Sequence, residues 1–207
     1  ASEEEKDTGR RYLTQKEEGA LLAGLETYQE ERREQRRSSR AHGKPHLPDL
    51  DGLAYVDHVA PWILAMYYTG LRPGDLNGLR WEHLALRFKR LRKVIEKTAH
   101  KVPEPTTLPL SDAAVDVLTA WWKQEGKPDR GPVFPGRNGG RLDKGAMRKP
   151  WQKVKTLAGL PADLELYSLR HNFASQLVMA GVDLMTVSRL MALRAIQTTI
   201  RFYGHLA

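Results

Sequence analysis

The stretch TGLRPGDLNGLRWEHL, residues 69–84, organises the chain around it. Gly70 closes a helix whose apolar side carries Val59, Ile63, Leu64 and Tyr67, because glycine tolerates the left-handed backbone that ends helices. Pro73 and Asp75 read as the first turn of the next helix. Proline has no N–H to lose there, and a carboxylate is favoured at the positive end of the helix. Leu76 and Leu79 form the buried side of that helix. Arg72 is left in a tight Gly-Leu-Arg-Pro-Gly turn facing a helix N-terminus, a place where anions are favoured.

Upstream, Thr14 with Glu17 fits a capping box for an earlier helix, striped by Ala20, Leu21 and Leu25. Residues 30–48, EERREQRRSSRAHGKPHLP, hold five Arg, one Lys and two Pro. They predict a helix end running into an exposed basic loop, either a phosphate-contacting surface or a solvated one. Downstream, RKVIEK (92–97) and TTLPL (106–110) have the composition of two short strands. A helix follows from Ser111 with Ala114, Val117, Leu118 and Trp121 inward, then a turn-rich stretch, PGRNGGR, at 135–141. Helices near 146–158, 168–180, 184–192 and 197–204 finish the chain. The fold class expected is mainly α with a small antiparallel β-sheet (α+β). Residues 1–12 read as a linker or tail and residues 13–207 as one domain.

The 207 residues carry 33 Lys+Arg against 25 Asp+Glu, a formal charge of +8, and 41% are hydrophobic, enough to bury a core. The basic surplus points to a polyanionic partner, of which nucleic acid is the commonest. There is no cysteine, which excludes disulfides, a zinc finger, an iron–sulfur cluster and a thiolate nucleophile. No apolar run has transmembrane length, and the start ASEEEKDTGRR is polar where a secretory signal is apolar. A cytoplasmic protein without a membrane partner is expected. His42 and His46 are four apart, but Pro45 and Pro48 argue against a metal-binding helix there, so no metal and no cofactor are expected.

Arg72, Lys97, Arg170 and Arg201 each follow an element boundary, and arginine supplies the planar, permanently charged fork that phosphodiester oxygens require. Arg170 shares its segment with the apolar residues Leu169 and Phe173. Three segments taken together resemble the tyrosine recombinases, or phage-type integrases. TGLRPGDLNGLRWEHL (69–84) resembles their first-arginine box, LRHNFASQLVMAGVDLMTVSRLM (169–191) the second-arginine box, and IQTTIRFYGHLA (196–207) the nucleophile box.

The resemblance spans the chain from about Tyr12 and implies a tyrosine recombinase catalytic-domain fold. It also implies a metal-free DNA breaking and rejoining reaction through a 3′-phosphotyrosyl intermediate. On it, Arg72 and Arg170 are the phosphate clamp and Asp75 the supporting acid. Lys97 is the hairpin lysine that protonates the leaving 5′-oxygen, with Lys101 the weaker candidate. It further implies double-stranded DNA as partner, a tetrameric synapse on DNA and a monomer when free. The family's separate N-terminal DNA-clamping domain is expected to be absent, which leaves a catalytic fragment that binds DNA weakly alone.

The chemistry is coherent, since a phenol of pKa about 10 attacks phosphorus only when a base takes its proton and cations stabilise the phosphorane. Three positions depart from the family pattern. Tyr167 stands where the family usually has histidine, three before the second arginine; its hydroxyl can donate to phosphate but is a poorer neutral-pH base. Leu193 replaces a hydrogen-bonding side chain. Ungapped register puts Phe202 at the nucleophile position, and Tyr203 is the nearest hydroxyl. Tyr203 as nucleophile, Phe202 as an inactivating substitution, and an impaired relative therefore all stay open. Gly204 permits backbone angles that would swing a mobile residue 203 toward the site. The alternative to the enzyme is a DNA-binding relative without turnover. A basic RNA-binding module lacks the usual aromatic and glycine signatures.

Overall fold

The computed structural model describes residues 11–94, 105–191 and 203–206. Helix α1 (Gln15–Ala41) starts at Thr14, whose hydroxyl accepts the Glu17 N–H (3.1 Å) while the Glu17 carboxylate accepts the Thr14 N–H (3.0 Å). Two orphan backbone donors are satisfied at once, which fixes the helix start.

The far end of α1 corrects the expectation of a basic loop, because the helix continues through Arg32, Arg33, Arg36, Arg37 and Arg40. Arginine is a good helix former, and here the side chains have work to do inside the molecule. Arg33 donates to the Leu53 carbonyl (3.1 Å), Arg36 to that of Pro48 (2.7 Å) and Arg40 to that of Leu47. Arg37 bridges Glu30 (2.7 Å) and Asp51 (2.6 Å). These bonds strap the irregular return segment onto the helix by satisfying carbonyls that no ladder reaches.

Helix α2 (Val59–Thr69) is the central rod, with Val59, Ala60, Trp62, Ile63, Ala65 and Met66 all buried. It packs on α4 (Asp112–Gln124) and α6 (Ser168–Met179). Meanwhile α1 lies along α5 (Arg148–Ala158). Gly24 makes that last approach possible, since a Cβ there would lie 2.4 Å from the Ala158 Cβ. Short α3 (Pro73–Asn77) follows α2 directly, and α7 (Leu184–Leu190) follows α6.

Three short strands, β1 (Leu84–Ala85), β2 (Arg90–Lys93) and β3 (Thr106–Pro109), form one antiparallel sheet in the order β1-β2-β3. Leu91 pairs with Leu108, both buried, which sets the register by their shared inward face. The β2 strand begins two residues earlier than composition suggests. The expected last helix, 197–204, lies almost wholly outside the described residues; Gly204–Leu206 form a 3₁₀ turn. Among the described residues no helix is long and apolar enough to cross a membrane.

A main core runs from Leu13 to Leu169, and a second, smaller cluster holds Ala174, Val178, Val187, Met191 and Tyr203. Helix α6 lies between the two, apolar on both sides, which places Arg170 in the interior of the chain.

Candidate functional site

Arg170 stands in the first turn of α6 and is only 4% exposed. One guanidinium nitrogen donates to the Gly70 carbonyl (2.5 Å) and another to the Met191 carbonyl (2.5 Å). The fork thus ties the end of α2 to the end of α7. A buried guanidinium needs such acceptors, because an unpaired charge in the interior is costly. Burial pulls its pKa below the ordinary arginine value, and the nearby Arg72 cation adds to that; the Tyr167 hydroxyl, hydrogen-bonded to it, works the other way.

Gly70 is what lets these pieces meet. It caps α2 in the left-handed region (φ 67°), and a Cβ there would lie 2.5 Å from the Phe173 ring on α6. Gly70→Ala is therefore expected to cost about 2–4 kcal/mol, from the left-handed backbone and from overpacking together. Urea denaturation of the variant measures it; a loss under 0.5 kcal/mol would mean that α6 can retreat freely.

Arg72 is the N-cap of α3, in extended conformation, and its side chain is partly buried. Its Nε is buried with no hydrogen-bond partner among the described residues. Leaving such a donor unsatisfied costs about 1–3 kcal/mol, a cost that an anion seated on the two guanidiniums removes.

Asp75, one turn along α3, is 2% exposed and pairs with Lys93 Nζ at 3.0 Å. Sequence reasoning missed Lys93, although strand alternation from Leu91 puts residue 93 on the same inward face. Lys93→Met is expected to destabilise by about 3–5 kcal/mol, because it removes one member of a buried ion pair. Replacing Asp75 with leucine in the same chain should recover most of that loss. A thermal melt of the single and double variants checks the pair.

Tyr203 is 6% exposed and seated among Ala174, Val178, Val187 and Met191. It is not swung loosely about Gly204, as the sequence suggests, because burying a phenol ring in that cluster is more favourable than solvating it. Its hydroxyl lies 2.7 Å from His171 Nδ1. Burial pushes the phenol up to about 12, opposed by the positive charges of Arg170 and Arg72 and assisted by Tyr167. Those interactions put the Tyr203 oxygen within electrostatic reach of both arginines.

The structure therefore brings Arg72, Tyr167, Arg170 and Tyr203 into one neighbourhood, and pairs Asp75 with Lys93. Lys97, Lys101, Leu193, Arg201 and Phe202 lie outside the described residues. His171 was also missed, although its spacing of four from Tyr167 puts both on one face of α6. Tyr167 further lines a cavity of about 460 Å³ with Pro73, Arg148 and Trp151. Among the described residues no group of three or more His, Cys, Asp or Glu side chains could hold a metal ion. The arrangement is suited to gripping an anion next to a phenol.

Known proteins are similar to this chain. The description "Phage integrase family" matches residues 51–207. Tyrosine recombinase XerC of Xylella fastidiosa (strain M23) is 32% identical over 145 residues, covering 70% of this chain and 47% of that protein. Tyrosine recombinase XerC of Actinobacillus pleuropneumoniae serotype 7 (strain AP76) is 29% identical over 164 residues, 78% of this chain and 49% of that protein. The chain thus spans about half the length of the curated relatives it matches. Among solved structures, XerA recombinase superposes with a TM-score of 0.68 at 16% identity, over 97% of this chain and 60% of that one. The catalytic domain of bacteriophage HP1 integrase gives 0.61 at 18%, over 96% and 89%. The fold is shared with both.

Proposed function

The chain belongs to the phage integrase family, and from that premise we propose that residues 13–207 are the catalytic domain of a site-specific DNA recombinase. Residues 1–12 are its linker. The domain cleaves a strand of duplex DNA through a covalent 3′-phosphotyrosyl intermediate and rejoins it, with Tyr203 as nucleophile.

One observation carries this reading. Three segments far apart in sequence deliver Arg72, Arg170 and the Tyr203 hydroxyl to one place, with both cations acting on the phenol. Arg170 and Arg72 hold the non-bridging oxygens of the scissile phosphate, and their charge stabilises the phosphorane as it forms. Tyr167 donates to the same oxygens. Asp75, with Lys93, fixes the turn that presents Arg72. The ester bond to tyrosine conserves the energy of the broken phosphodiester, so rejoining needs no nucleotide. By resemblance Lys97 protonates the 5′-oxygen. The same resemblance supports a free monomer that assembles as a tetramer on duplex DNA.

A nicked suicide duplex tests the reading, because the broken strand diffuses away and traps the adduct. A covalent complex that survives denaturant and maps to Tyr203 is expected. Phe202 stands at the family's nucleophile register, which favours a second reading: a DNA-binding relative that retains the arginine clamp without turnover. Duplex binding with no adduct is the outcome that selects it.

A further inference from the structure

The reaction needs a base at the attacking phenol, and the residue at the family's usual histidine position is Tyr167. One helical turn further along α6, on the same face, stands His171. Its ring lies between two tyrosine rings, 5.4 Å from that of Tyr167 and 5.9 Å from that of Tyr203. Its Nδ1 is 2.7 Å from the Tyr203 hydroxyl oxygen.

We propose that His171 is the general base of the cleavage step, taking the phenolic proton of Tyr203 on Nδ1 as the oxygen attacks phosphorus. The proposal rests on the reading of Tyr203 as the nucleophile. The distance lies inside the range from which a base abstracts a proton directly. A phenol pushed up to about 12 by burial is nearly all protonated at neutral pH, so attack depends on a neighbour that accepts the proton. An imidazole is the side chain matched to that task in neutral solution. Among the described residues, the titratable and charged groups around the pair are Tyr167 at the N-cap of α6, Arg170 in its first turn and Arg72 at the N-cap of α3.

The step balances as follows. The Tyr203 oxygen–phosphorus bond forms, and the phenolic proton passes to His171 Nδ1, leaving an imidazolium. The bond from phosphorus to the 5′-oxygen breaks, and that oxygen takes a proton from a separate acid, the ammonium of Lys97 by family resemblance. Rejoining reverses each transfer: the 5′-hydroxyl attacks, and the imidazolium returns its proton to the departing phenolate.

The test uses His171→Asn, in which an amide oxygen can take the place of Nδ1. It keeps a hydrogen-bond acceptor for Tyr203 but cannot act as a base. On the nicked suicide duplex, single-turnover formation of the covalent complex should fall about 10²–10⁴-fold, with duplex affinity changed less than twofold. The wild-type rate should rise with pH as the base loses its proton, and the variant should lose that rise. His171→Ala should regain part of its rate when free imidazole is added, a rescue that a purely structural role would not give. A wild-type adduct on Tyr203 together with an unchanged rate and pH profile in His171→Asn overturns the assignment of the base alone. A wild-type chain that forms no adduct on Tyr203 overturns the nucleophile assignment, and the base with it.

Discussion

Arg170→Lys is expected to cut covalent-complex formation on the suicide duplex by about 10²–10³-fold, the loss typical of removing one preorganised donor to a transition-state oxyanion. The substitution keeps the charge and removes the fork. In the folded chain that fork already spans two backbone acceptors, the carbonyls of Gly70 and Met191, and a lysine ammonium is a point charge that cannot serve both and the phosphate. Losing one acceptor contact in the interior should also cost about 1–3 kcal/mol of stability. The two losses are separable. Sulfate or a short duplex should raise the melting temperature of the wild-type protein, because an anion relieves the repulsion between Arg170 and Arg72 and occupies the buried Arg72 Nε. In Arg170→Lys that increment should shrink. A variant with wild-type cleavage rate and the full ligand-induced shift would remove Arg170 from the chemistry and leave it as a tie between helices.

Tyr203→Phe should abolish the adduct altogether, since no other group can form the phosphotyrosyl bond if Tyr203 is the nucleophile. The fold should survive. The ring still fills the pocket among Ala174, Val178, Val187 and Met191, and the loss of the bond to His171 costs about 1 kcal/mol. Phe202→Tyr is the reciprocal variant. If it gains cleavage while Tyr203→Phe leaves the wild-type behaviour unchanged, the nucleophile belongs at 202 and this chain carries a substitution that disarms it. The raised phenol also has a signature in stability. A free tyrosine ionises near 10 and Tyr203 at about 12. Folding thus favours the protonated form, and the contribution is complete below pH 10. It is lost as the pH rises from 10 towards 12, and Tyr203→Phe should flatten that alkaline decline.

Much of the architecture was legible because its signals are local. Thr14 with Glu17, Ser111 and Gly70 mark helix ends through bonds to atoms three or four residues away, Pro73 marks one through its fixed φ, and the helices begin or end at those positions. One reading failed, and one residue was missed, for reasons that are not local. The arginine-rich half of α1 looks like exposed loop because it has almost no apolar residues. Its helix is held by bonds to the carbonyls of a segment returning 7 to 20 residues later. Lys93 looks like an ordinary strand cation until the sheet turns it inward onto Asp75, 18 residues earlier in the chain.

By itself, then, the sequence determined the helical class, the small sheet, the helix boundaries set by caps, and the three boxes with their arginines, because propensity, capping and periodicity act within a few residues along one dimension. The tertiary structure alone decided which groups face one another: the Arg170 fork on a carbonyl 100 residues away, the Phe173 ring against Gly70, and the Tyr203 hydroxyl on His171. Those pairings depend on the path of the backbone between the partners. That path is set by the two apolar clusters on either side of α6, which fold a chain of separate signals into one site.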